Sequence, residues 1–192
     1  MVFIYEYSYF YLSYSVGSDV YNQIPKVRGA YGKTAVVIGG KTAISKAKDA
    51  LLAGVHNSNI EIIDFIWYGG DSTYANIKKL AQNPQFQKAD MVFAVGGGRA
   101  IDTCKTLCDM ENKPVFSFPT IASNCSPVTA VCVIYDDETH GFKELYFPQK
   151  SPLHSFINTK IITEAPYEYI WLVSVMLYPN NMKLAFPLVM MK

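Results

Sequence analysis

Three consecutive glycines and an arginine, Gly96-Gly97-Gly98-Arg99, stand at the exit of the apolar run Ala94-Val95 and lead into Ala100-Ile101-Asp102. Glycines that leave a buried strand and open a helix suit one task. Lacking side chains, they let backbone N–H groups approach a phosphate closely. The helix N-terminus adds unsatisfied donors and a partial positive charge. A pyrophosphate fits such a turn, and Arg99 is placed to help neutralise it. The spacing is not G-x-G-x-x-G, because Ile101 holds the last position. A tight strand-to-helix turn with no ligand is therefore the alternative reading. Placement at the carboxyl end of a parallel strand favours a ligand, since open α/β sheets bind there.

A second group follows another apolar run: Pro119-Thr120-Ile121-Ala122-Ser123-Asn124-Cys125-Ser126-Pro127. Thr120, Ser123 and Ser126 supply hydroxyls at a strand end. Taken alone, the group reads as a loop whose hydroxyls bond their own backbone. The histidines, His56, His140 and His154, show no ligand spacing and read as surface residues. Of the four cysteines, Cys104 and Cys108 stand a helical turn apart, as core packing requires. Cys125 reads as a small, partly buried loop residue. No C-x-x-C pair occurs, so reduced thiols in a cytoplasmic protein are expected.

The elements that must position these groups alternate along the chain. Tyr9–Val16 reads as a strand, followed by a short helix around Asp19–Ile24. Thr34–Ile38 is a buried run ending in Gly39-Gly40. A helix over Ala43–Leu52 follows, with Gly54 as its C-terminal cap. Ile60–Ile66, Met91–Val95 and Val115–Phe118 are further strands, with helices over Thr73–Leu80 and about Ala100–Met110 between them. Strand, glycine or proline, helix, strand is the pattern of a parallel sheet. Continuous apolar strands imply helices on both faces. Thr129–Tyr135 and Phe142–Phe147 read as a hairpin, Ser155–Asn158 as a short strand, and Thr163 as the N-cap of a helix containing Pro166. The fold class expected is α/β: a Rossmann-like parallel sheet plus a β-hairpin.

Composition closes off other classes. The chain has 192 residues with 50% hydrophobic and 17% charged, which suits a globular domain. Seventeen basic against sixteen acidic residues leave a net charge of +1, too little to recruit nucleic acid. No apolar run reaches the roughly 18 residues of a membrane span, and the N-terminus lacks the features of a signal peptide. Residues 1–169 are expected to form the α/β domain, and 170–192 a divergent apolar tail.

The run Gly96 to Lys105, read with Phe118-Pro119-Thr120-Ile121-Ala122-Ser123, resembles glycerol dehydrogenases and their relatives among the iron-containing alcohol dehydrogenases. Ser126–Tyr135 and Ile157–Pro166 match the same family, and the likeness covers about residues 9–169. The resemblance implies a Rossmann-like N-terminal domain, a nicotinamide cofactor (NAD or NADP), and a C-terminal helical domain carrying a divalent metal. It assigns cofactor contacts to Gly96, Gly97, Gly98, Asp102, Thr120, Ser123, Thr129, Val131 and Tyr135.

Three departures from the family pattern modify this. The family's ribose-gripping Asp at the end of the first strand aligns with Gly40, followed by Lys41, so a 2′-phosphate is tolerable. Its substrate-side Asp aligns with Cys125, which makes glycerol a doubtful substrate. Its G-x-G-D segment and downstream histidines have no counterpart, so neither zinc nor iron is expected to bind. No catalytic residue is identified. The helical domain is expected to be absent through truncation or a frameshift, leaving a dinucleotide binder with little turnover and a tendency to form homo-oligomers. The alternatives are a non-enzymatic nucleotide-binding relic or interaction module, and a dehydroquinate-synthase-like lyase.

Overall fold

The structure is a computed structural model that describes residues 13–27 and 31–168. Its centre is a six-stranded sheet of order β1-β8-β5-β4-β2-β3, comprising β1 (Tyr14–Gly17), β2 (Thr34–Gly39), β3 (Glu61–Trp67), β4 (Met91–Gly96), β5 (Val115–Pro119) and β8 (Ser155–Asn158). Every pairing within it is parallel. The helices of the connections are α1 (Ile24–Val27), α2 (Lys41–Val55), α3 (Tyr74–Ala81), α4 (Pro84–Lys88), α5 (Gly98–Met110) and α6 (Thr159–Thr163). An antiparallel hairpin, β6 (Cys132–Tyr135) with β7 (Phe142–Tyr146), packs beside α5.

Alternation along the strands builds a core on each face. Ala35, Val37, Phe93, Val95, Phe116 and Phe118 point to one side, where they meet Ala47 and Leu51 of α2. Val36, Ile38, Val92 and Ala94 point to the other, against Ile77 and Leu80 of α3 and Ile101, Cys104 and Leu107 of α5. Helices on both faces of a parallel sheet are the Rossmann-like α/β arrangement expected from the apolar strands. The first core is strongly aromatic. Phe118 stacks on Phe156 at 4.9 Å, and Tyr21 meets Phe118 edge-on at 5.2 Å.

Several local expectations are corrected. Gly54 lies inside α2 rather than capping it. A Cβ there would stand 2.6 Å from the Tyr21 carbonyl oxygen, so this glycine serves a close approach between segments. The region around Asp19–Ile24 divides into a 3-10 turn at Val20–Gln23 followed by α1. Helix α4 goes unforeseen, although Asn83 and Pro84 carry its start: the Asn83 side chain accepts from the Gln85 and Phe86 amides. Thr163 caps no helix: it is the last residue of α6, whose own N-cap is Asn158, and the next helical residues, Tyr167 and Glu168, begin after Pro166. Strand β6 begins at Cys132 rather than Thr129: a 3-10 turn occupies Ser126–Val128, and the Thr129 and Val131 carbonyls accept from Lys105 Nζ. The expected strand residues 9–12 and the tail at 170–192 lie outside the described residues.

Candidate functional site

The strand order reverses at β2. Its two neighbours are β3, which follows it through α2 on one face, and β4, which leads into α5 on the other. The crevice at the carboxyl ends of β2 and β4 is a topological switch point, the ordinary ligand position in an open α/β sheet.

Both helices that leave this crevice open on glycine. Gly40 is the N-cap of α2 and Gly97 that of α5; neither has a side-chain cap, and neither helix has an acid in its first turn. Two uncapped helix N-termini thus face one cleft with their amide donors and positive ends. Glycine is required on both sides. A Cβ on Gly39 would lie 2.1 Å from the Val95 carbonyl oxygen, and Gly96 has φ +147° with Ala100 Cβ at 3.0 Å. On Gly97 a Cβ would meet Ile121 at 2.7 Å, and on Gly98 it would meet Asn124 at 2.2 Å. The loop after β5 therefore rests directly on the glycine turn. Beside it is a cavity of about 320 Å³ whose lining includes Thr42, Ala43, Gly97, Thr120, Ile121 and Ile161. Open space thus lies beside the turn, between the two uncapped helix starts, and these backbone donors fit a phosphate group of a dinucleotide.

The expected contacts separate into four groups. Gly96, Gly97, Gly98, Thr120 and Ser123 come together at the crevice. The Thr120 amide donates to the Gly96 carbonyl at 3.1 Å, and Ser123 Oγ lies 4.0 Å from the Cβ position of Gly97. Asp102 is buried beneath them. It accepts from the Ser126 hydroxyl at 2.6 Å and the Val133 amide at 3.1 Å, and pairs with Lys105 Nζ at 3.0 Å. Thr129 and Val131 are tied to α5, their carbonyls accepting from Lys105 Nζ at 3.1 and 2.6 Å. Tyr135 lies on the α3 side of the sheet, its ring 4.6 Å from the Arg99 guanidinium.

Arg99 has a second partner besides that ring. It pairs with Asp71 at 3.4 Å, and His140 Nδ1 approaches the other oxygen of Asp71 at 3.3 Å. This cluster borders a separate cavity of about 510 Å³ together with Gly69, Gly70 and Asp137. Arg99 is thus shared with an acid that sequence reading did not single out; Asp71 follows a Gly-Gly pair at a strand end, which is the signal it left. The Asp102–Lys105 pair was legible only as an i, i+3 spacing.

Two side chains differ from expectation. His154 is buried, 4% exposed, rather than on the surface. Its Nδ1 lies 2.6 Å from Ser13 Oγ and its Nε2 2.9 Å from Ser15 Oγ, and burial lowers its pKa. Cys125 is exposed, whereas Cys104 and Cys108 are buried with thiol pKa values pushed up by desolvation. Among the described residues, no three His, Cys, Asp or Glu side chains converge as a metal-binding group. The described donors do not fit the family's metal.

Comparison with known proteins accords with this geometry. Residues 13–159 match the family described as iron-containing alcohol dehydrogenase. A glycerol dehydrogenase of Escherichia coli is 28% identical over 153 residues, which is 80% of this chain and 41% of that protein. A glycolaldehyde reductase of Halobacterium salinarum is 27% identical, over 82% of this chain and 43% of its own length. The chain thus spans about two-fifths of the curated relatives it matches. The crystal structure of an iron-containing alcohol dehydrogenase from Thermotoga maritima superposes with a TM-score of 0.75 at 20% identity, covering 86% of this chain and 52% of that one. A glycerol dehydrogenase structure from Schizosaccharomyces pombe gives 0.73 at 22% identity, covering 84% and 40%. Sheet order, glycine turn and sequence match agree, and the chain belongs to the iron-containing alcohol dehydrogenase family.

Proposed function

We propose that residues 13–168 are the dinucleotide-binding part of an NAD(P)-dependent alcohol dehydrogenase, and that this chain holds the cofactor with little or no turnover. The observation that carries the reading is the pair of uncapped helix N-termini, at Gly40 and Gly97, on one switch-point crevice. The backbone at Gly97 and Gly98 would hold the pyrophosphate, with Thr120 and Ser123 on the β5 side. Thr129, Val131 and Tyr135 would border the nicotinamide end. Asp102 acts from below, through the residues it holds. When bound, the cofactor supplies a nicotinamide ring that accepts hydride from the carbon of a small alcohol. Metal would ordinarily polarise the alcohol oxygen in such chemistry. Among the described residues no set of ligands converges to hold it.

The adenosine end admits NADP as well as NAD. Gly40 and Lys41 follow β2, and Lys41 Nζ stands 4.7 Å over the half-exposed Trp67 ring at the end of β3. A cation beside an aromatic face accommodates a 2′-phosphate, which an acid there would repel. Titrating the chain with NADH and NADPH, read by nicotinamide fluorescence, tests both parts. Comparable binding of the two is expected, and a strong preference for NADH would sink the NADP claim. Clear turnover of small alcohols on addition of Zn²⁺ or Fe²⁺ would refute the inactivity.

A further inference from the structure

Among the described residues, Lys105 and Asp102 are the ionic pair buried most deeply, with side chains 1% and 8% exposed. Taking both charges out of water is costly, and an apolar pair of similar volume would serve stability as well. Their bonding shows what they do instead. Lys105 has three ammonium protons and three acceptors: Asp102, the Thr129 carbonyl and the Val131 carbonyl. Asp102 receives the Ser126 hydroxyl and the Val133 amide as well. The pair thus grips the 126–133 segment at Ser126, Thr129, Val131 and Val133. Ser126 Oγ also lies 3.5 Å from the Gly98 carbonyl, so the grip reaches the glycine turn.

We infer that Asp102 and Lys105 are positioning residues that fix the 126–133 segment relative to the glycine turn, and so shape the nicotinamide half of the site without touching the cofactor. The inference rests on the dinucleotide reading above. Its geometric basis is strand order. With the adenosine end at β2 and β3 and the pyrophosphate at the turn after β4, the remaining half of the ligand extends toward β5 and the segment that follows it. A fully satisfied buried polar network rigidifies what it joins. Losing it should loosen one half of the site and spare the other.

The test compares the wild-type chain with the double variant Asp102→Asn/Lys105→Met, which leaves no buried charge unpaired, and with Ser126→Ala, which keeps the pair and removes one tie. Hydrogen exchange is measured at the 129–133 amides, and binding of NADH is compared with that of ADP. In the double variant, exchange at 129–133 should rise while β4 and β5 stay protected. NADH affinity should fall about tenfold, the size of one charge-assisted hydrogen bond, with ADP affinity changed by less than about twofold. Ser126→Ala should move both readouts in the same direction by less. Parallel losses of NADH and ADP, or unchanged exchange at 129–133, would overturn the inference while leaving the dinucleotide reading intact. If the wild-type chain binds neither ligand, the dinucleotide reading falls and the nicotinamide role falls with it.

Discussion

At the scale of single residues, the glycines divide by what a methyl group would strike. Gly39 faces a backbone carbonyl and Gly96 has a left-handed φ, so neither can accommodate a Cβ by moving a side chain. Gly39→Ala and Gly96→Ala should each destabilise the fold by about 2 kcal/mol or more, measured by urea unfolding. At Gly97 and Gly98 the obstacles are the ends of the Ile121 and Asn124 side chains, which can give way. Alanine there should cost less than about 1 kcal/mol while displacing the Ile121–Asn124 loop from the turn, so NADH binding should weaken with stability nearly kept. Equal stability losses at all four positions would count against this division. His154 supplies a pH prediction. Burial lowers its pKa in the folded state, so the unfolded chain takes up the proton more readily. Its neutral form favours the fold fully above the ordinary histidine pKa near 6.5. That contribution declines as pH falls from there toward the lower folded value. The melting temperature of His154→Gln should accordingly fall less steeply than that of wild type between about pH 7 and 5. Thiol chemistry gives a third check. Cys125 is exposed and the other three cysteines are buried, with the Cys132 thiol pushed up to about 11 by desolvation. A disulfide reagent should label one thiol quickly in the native chain; fast labelling of a second would contradict the burial.

At the scale of elements, legibility followed the strength of the local signal. The central strands were readable as apolar runs because both of their faces are covered, and the glycine pairs marked where they end. Phe118→Ala should cost about 3–5 kcal/mol, since this ring joins Tyr21, Phe93 and Phe156 in one cluster; calorimetry reads the loss. What stayed hidden was decided by partners distant in sequence. Gly54 looks like a cap until the Tyr21 backbone is placed against it. Thr129 to Val131 looks like the start of a strand until Lys105 takes two of its carbonyls. His154 looks exposed until the serines before and within β1 reach its two ring nitrogens. The candidate site divides the same way. Its glycine turn and the Thr120 to Ser123 loop were legible as motifs. The burial of Asp102 and the pairing of Arg99 with Asp71 required the third dimension.

At the scale of the molecule, the chain offers apolar surface that a partner can cover. Phe142 and Phe147 are 65% and 68% exposed at the hairpin, and Trp67 is 48% exposed at the sheet edge. We propose self-association through such surface, and light scattering after size exclusion should show species larger than 21.5 kDa; a clean monomer would count against it. The sheet order carries a further consequence, in time rather than in space. Strand β1 is made early, yet its neighbour in the sheet is β8, and the Ser13–His154 contact spans 141 positions. At translation rates of roughly 5–20 residues per second, β1 waits about seven to thirty seconds for the strand that receives it. During that interval β2 to β5 can pair among themselves. Among the described strands, the first synthesised is thus among the last to be docked, and its backbone donors and acceptors lack their β8 partners until the ribosome has passed Asn158.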